Sequence, residues 1–115
     1  MLLTYVHFVH INEKRAAEVL FEWDESKRQS NLAKHFVDFQ DATQIFDGPV
    51  FEKARRRHGE DRMLAIGLME DVEIVVVYVT RGKSRRIISA RRAHRDERKD
   101  YASHLRETGK GSHGL

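Results

Sequence analysis

The sequence predicts an α+β fold, with N-terminal helices followed by a small antiparallel β-sheet and a C-terminal helix. Three observations carry this. Helical spacing dominates the first half, as in Ala42, Ile45 and Phe46 at i, i+3, i+4. A β-branched run, Val72–Thr80, and the turn Gly82-Lys83-Ser84 dominate the second. A charged stretch, His94–Arg106, follows with few apolar residues.

Taken in order, Met1–Val9 is apolar and β-leaning, and Asn12 can cap a helix over Glu13–Leu20. Phe21-Glu22-Trp23-Asp24 alternates like a short strand. Asp24 or Ser26 can cap a helix over Lys27–His35, with Leu32 and Phe36 on one side; Val37 and Phe39 follow as core contacts. A short helix, Asp41–Phe46, ends at Asp47-Gly48-Pro49. Val50–Arg55 reads as a strand, Arg56–Asp61 as a basic loop, and Arg62–Gly67 as the next strand. Glu70-Asp71 marks a turn into Val72–Thr80, whose continuous apolar run suits a central strand covered on both faces. Arg85–Arg92 returns as a strand. Regular alternation puts Ile87, Ser89 and Arg91 on one face, and Arg86, Ile88, Ala90 and Arg92 on the other. The chain divides into an N-terminal extension over 1–20 that can be helical, a domain over 21–107, and a disordered tail over 108–115 that contains three glycines.

The 115 residues suit one domain, and without cysteine the chain forms no disulfide or thiolate zinc site. Cysteine-free composition suits the cytoplasm, the expected location, and no run approaches the roughly 20 apolar residues of a membrane span. The formal charge of +3 is unevenly spread. Residues 1–50 hold 5 basic and 8 acidic residues, whereas Arg81–Lys99 alone holds 9 basic and 2 acidic. Of the 21 basic residues 14 are Arg, whose planar fork suits phosphate. A polyanionic partner is the implication. The histidines form no HxH or HExxH pair, and there is no P-loop, GxGxxG or nucleophile elbow, so no metal or cofactor is expected.

The informative cluster is basic: Arg62, Arg85, Arg86, Arg91 and Arg92 fall on or beside adjacent strands. Strand pairing would bring like charges within about 5 Å, which is unfavourable without an anion between them. RNA cleavage needs little more, because the substrate's 2′-hydroxyl can attack its own phosphate. The protein must hold that geometry, neutralise charge on the phosphoryl oxygens and move two protons. His35, His58, Glu60 and Tyr78 are candidates for the proton transfers. Trp23 reads more readily as core than as a base-stacking platform.

Four stretches in order carry a family resemblance. They are Phe21-Glu22-Trp23-Asp24 with Lys27, Asn31-Leu32-Ala33-Lys34-His35 and Phe39; Ala42 with Phe46-Asp47; Glu60-Asp61-Arg62 through Ala65-Ile66-Gly67; and Val75-Val76-Val77-Tyr78, Arg81, Arg86-Ile87-Ile88-Ser89-Ala90-Arg91-Arg92-Ala93, Glu97-Arg98 and Tyr101. The sequence resembles the BrnT toxins of type II toxin–antitoxin systems over about Phe21–Tyr101. The resemblance implies a RelE-like ribonuclease fold and metal-independent endoribonuclease activity that slows translation and growth. It also implies a BrnA-like ribbon-helix-helix antitoxin, with operator DNA engaged only through the toxin–antitoxin complex. Carried over by position, Glu60, Arg62, Arg91 and Arg92 are the expected catalytic residues. Lys34, Arg85, Arg86 and Trp23 are the expected RNA-binding ones. The first twenty residues extend beyond the family's usual start, and Thr80 stands where the family often has an acidic residue. The alternative reading is a non-enzymatic binding module with a basic β-sheet surface.

Overall fold

The computed structural model describes residues 5–12 and 17–112, with side chains over 20–108. The strands are β1 (Tyr5–Asn12), β2 (Ala17–Asp24), β3 (Phe51–Arg57), β4 (Glu60–Met69), β5 (Val72–Arg81) and β6 (Ser84–Arg92). The helices are α1 (Glu25–His35), α2 (Phe39–Ala42, continuing into a 3₁₀ turn at Thr43–Asp47) and α3 (Arg95–Ser112). The strands form one mixed sheet in the order β1-β2-β6-β5-β4-β3.

This corrects the expected helices-then-antiparallel-sheet architecture in two ways. Ala17–Leu20 belong to β2 rather than to a helix, and Glu13–Ala16 lie outside the described residues. Helix propensity at Ala17 and Glu18 yields here to pairing: β2 lies antiparallel to β1 from Ala17↔Asn12 to Asp24↔Tyr5. The sheet is also not wholly antiparallel, because Leu20–Glu22 pair in parallel with Ser84–Arg86. The α1–α2 segment and the β3–β5 meander are together the crossover that makes a parallel pair possible. Of the expected tail, Thr108–Ser112 continue α3, and residues 113–115 lie outside the described residues.

Local chemistry explains the other boundaries. Asp24 caps α1, its Oδ1 accepting from the backbone N–H of Ser26 at 2.9 Å and of Lys27 at 3.3 Å. Phe36 ends α1 in the left-handed region, at φ 61°. The stretch expected to be a loop, Arg56–Asp61, is a two-residue hairpin turn, because His58 and Gly59 both take positive φ (52° and 73°). β3 and β4 therefore pair right up to Arg57↔Glu60.

Helices cover both faces of the sheet. The α1–α2 side packs Phe21 and Trp23 of β2, Ile74, Val76 and Tyr78 of β5, and Ile87 and Ala90 of β6 against Val37, Phe39, Ile45 and Phe46. The α3 side packs Leu64, Ile66 and Val75 against Ala93 and Tyr101. Tyr101 Oη also donates to the Pro49 carbonyl at 2.9 Å.

Regular alternation fails in β6. Val77 pairs with Ser89 but Tyr78 pairs with Ile87, so Ile88 is the extra residue of a β-bulge. The bulge resets the faces. Arg85, Ile87, Ala90 and Arg92 turn to the α1 side, whereas Arg86, Ser89 and Arg91 turn to the α3 side.

Gly67 is where β4 meets the 3₁₀ turn most closely. A Cβ there would lie 2.7 Å from Ile45 Cβ and 3.0 Å from the Ile45 carbonyl oxygen. Gly67→Ala is expected to destabilise the fold by about 1–3 kcal/mol through overpacking. Urea denaturation checks this, and an unchanged midpoint would contradict so close an approach.

Candidate functional site

Register places a row of arginines across the α3 face, at the end of the sheet that α3 leaves open. Arg55 of β3 pairs directly with Arg62 of β4. Met63 pairs with Tyr78, which sets Arg62 beside Val79. Val79 pairs with Arg86 of β6, and Arg86 pairs with Glu22 of β2. The row therefore reads Arg55, Arg62, Val79, Arg86, Glu22 across five strands. Arg57, Glu60, Arg81 and Ser84 form the next row outward.

Two arginines stand directly opposite each other at Arg55 and Arg62, a pairing that is unfavourable between like charges. Glu60 relieves part of it, accepting from Arg62 Nε at 2.9 Å. Glu60 and Arg62 are two apart on one strand and so share a face. Arg62 is mostly shielded, with 24% of its side chain exposed, while Glu60 is half open at 48%.

The structure brings Glu60, Arg62 and Arg86 to this one surface. The other expected residues lie elsewhere. Arg91 is on the same face but pairs with Val75, four residues from Val79 along β5, or about 13 Å at the usual strand rise. It forms a bidentate pair with Glu97 of α3 (Nη1–Oε1 2.8 Å, Nη2–Oε2 2.9 Å). Arg92 turns to the opposite face and is exposed. Arg85, also on that opposite face, lies over the rings of Phe46 and Tyr78, 4.9 and 5.2 Å from their centroids. Trp23 is core, edge-on to Phe39 at 6.1 Å. Lys34 lines a groove between α1 and β6.

Of the proton-transfer candidates, Tyr78 is buried, and its hydroxyl donates to the Glu52 carboxylate. Desolvation, with the Glu52 hydrogen bond adding to it, pushes its pKa up to about 12, so the phenol remains a donor at neutral pH. His58 sits in the exposed β3–β4 turn, and His35 lines the same groove as Lys34. Among the described residues no group of three or more His, Asp or Glu is placed to hold a metal ion.

Two residues of consequence escaped sequence reasoning. Arg55 enters the site because the His58-Gly59 turn extends the hairpin, and that His-Gly pair was the available signal. Glu97 anchors α3: besides gripping Arg91, its Oε1 accepts the His94 backbone N–H at 2.7 Å. A Glu three residues after the residue that opens a helix is a capping-box position, legible from spacing.

Fold and charge together define a small arginine-rich protein with an open cationic sheet face. The sequence profile of one family, described as the ribonuclease toxin BrnT of type II toxin–antitoxin systems, matches residues 23–97. The chain belongs to that family. The match runs from Trp23 to Glu97 and includes the whole arginine row except Glu22. A search of curated proteins finds no match.

The Arg91–Glu97 pair is mostly shielded, with 21% and 11% of the side chains exposed. Hydrogen bonding from Arg91, opposed by desolvation, holds the Glu97 carboxyl at about 2 against an ordinary 4.5. A carboxyl depressed by folding contributes stability that is complete above its unfolded pKa and is lost as pH falls through the folded one. Unfolding free energy should therefore decline as pH drops from about 4.5 towards 2. Arg91→Ala should lower it by about 2–3 kcal/mol at pH 7 and flatten that decline. Urea titrations across this pH range check both. A variant as stable as the parent would show that the pair does not hold α3.

Proposed function

We propose that the chain is a metal-independent endoribonuclease that cleaves RNA by attack of the 2′-hydroxyl on its own phosphate, slowing translation and growth. The observation that carries this reading is the Arg55–Arg62 pair beside Glu60 and Arg86. It is a concentration of guanidinium groups, on the face left open by α3, that a phosphodiester would neutralise. Arg62 and Arg86 flank Val79 from the strands on either side, about 10 Å apart, a span that admits one phosphate between two long side chains.

In this mechanism Arg62 and Arg86 bind the scissile phosphate and stabilise the charge that grows on its non-bridging oxygens. Glu60 accepts the 2′-hydroxyl proton, and Arg62 orients its carboxylate. The 2′-oxygen forms a bond to phosphorus while the bond to the 5′-oxygen breaks, and that oxygen takes a proton from water as it leaves. The products are a 2′,3′-cyclic phosphate and a free 5′-hydroxyl. Arg55 adds attraction without touching the reacting atoms. Arg92 serves RNA further along, and Arg91 acts through the position of α3.

A cognate antitoxin of ribbon-helix-helix type covers the basic face, and the complex, rather than the toxin alone, engages operator DNA. The cytoplasm, where RNA and ribosomes are, is the place of action. Among the described residues no helix is long and apolar enough to cross a membrane.

Incubation of the purified protein with cellular RNA in EDTA should produce fragments ending in cyclic phosphate. Arg62→Ala should reduce the cleavage rate about a hundredfold or more and change stability by no more than about 0.5 kcal/mol. RNA left intact by the wild type, with and without ribosomes, would refute the activity. Undiminished cutting by Arg62→Ala would remove Arg62 from the site.

A further inference from the structure

Away from the arginine row, the end of α1 carries two features that the fold does not explain. The first is Phe36. Its ring is 85% exposed, although it occupies a left-handed backbone position that favours glycine. The left-handed turn itself has a structural purpose: it stops α1 and sends Val37, 3% exposed, into the core. A glycine would do this with less strain. The large aromatic side chain gains no burial in return, and it stands beside Leu32, itself 38% exposed.

The second feature is a groove of about 220 Å³ between α1 and the bulge of β6. Lys27, Ser30 and Lys34 line its α1 wall at i, i+3, i+7, with His35 at its end and Ile88 and Ser89 opposite. Lys34 and His35 suit the negative end of a helix, and Lys27 lies in the first turn, near the capping carboxylate of Asp24. Asn31 also lines the groove, but its amide is committed to the Ala90 and Val37 backbone, so ligand contacts fall to the lysines and the Ser30 hydroxyl. Phe36 follows His35 directly in the chain, about 3.8 Å away at the Cα, so an exposed aromatic residue adjoins the residue that closes the groove.

An exposed aromatic ring beside a cationic, hydroxyl-lined groove matches the repeat of single-stranded nucleic acid, a base for stacking and a phosphate for the charges. We propose that the end of α1 is a second, non-catalytic RNA subsite. Phe36 stacks one unpaired base, and Lys27 and Lys34 hold the neighbouring phosphate. The proposal rests on the ribonuclease reading for the identity of the strand, and adds that the substrate is engaged as a single strand beyond the cut site.

The test uses the full chain and a fluorescein-labelled 12-nucleotide single-stranded RNA carrying 2′-O-methyl groups throughout, which blocks cutting. Anisotropy gives affinity as a function of salt. Phe36→Gly is expected to bind about tenfold more weakly. It should keep the salt dependence of the wild type and be at least as stable to urea, since glycine suits the backbone there. Lys27→Ala is expected to reduce the slope of log affinity against log salt by about 0.7, the value of one phosphate contact on a single strand. Unchanged affinity in Phe36→Gly would overturn the proposal. So would a Phe36→Gly variant that loses only its grip on the co-expressed antitoxin, which would assign the surface to a protein partner. The two readings fail separately. A wild type that binds this RNA through Phe36 but leaves unmethylated cellular RNA intact, with and without ribosomes, would retire the ribonuclease reading and leave the subsite standing.

Discussion

One side-chain amide does the work of a missing strand. β2 pairs with β6 only as far as Glu22↔Arg86, and beyond that point α1 packs beside β6. Asn31 fills the gap. Its Nδ2 donates to the Ala90 carbonyl at 2.8 Å and to the Val37 carbonyl at 3.0 Å, and its Oδ1 accepts the Ala90 N–H at 3.2 Å. Buried backbone groups left unpaired would each be expensive, so this clamp is what allows β2 to diverge and α1 to pack in its place. Ala90, wholly buried, keeps α1 close to the strand. The left-handed turn at Phe36 and the inward turn of Val37 follow from where Asn31 holds the helix.

The arginines fall into distinct physical roles once their partners are known. Arg91 is spent on Glu97 and ties α3 to the sheet. Arg28 is spent on Glu25 and Asp38, bracing α1 against the start of α2. Arg85 is spread over two aromatic rings. Arg55 and Arg62 instead stand opposite one another across a strand pair, and Glu60 pairs with Arg62. Basic composition predicts affinity for a polyanion, but only pairing separates cations that brace the fold from cations that face outward. The bulge at Ile88 sharpens the division, because it puts Arg85 and Arg86 on faces opposite to those their spacing from Arg91 suggests.

Much of the meander was legible beforehand. The β-branched run of β5, the turns at Glu70-Asp71 and Gly82-Lys83, and the break at Gly48-Pro49 are local signals that the fold respects. Spacing alone puts Glu60 in a loop over Arg56–Asp61; the tight His58-Gly59 turn is what places it on β4, on the same face as Arg62. Less was legible where a choice depends on a distant partner. Val19 and Leu20 pass for the end of a helix that starts at Glu13, until β1 and β6 appear on either side. Arg91 reads as one more strand arginine until Glu97 reaches it from α3. The identical residue type, in a strand of arginines, says nothing about which carboxylate will arrive.

By itself the sequence determined the local grammar of this protein: where strands turn, which helix is capped by Asp24, and how much positive charge the second half carries. Those features depend on neighbours within a few residues, so the chain states them directly. Tertiary structure decided the rest: the parallel β2–β6 pair, the bulge that reassigns faces along β6, and the separation of Arg62 from Arg91. Each of these is a contact between segments tens of residues apart. Its energy depends on burial and pairing that exist only once both segments are in place, so no spacing rule within either one could have stated it.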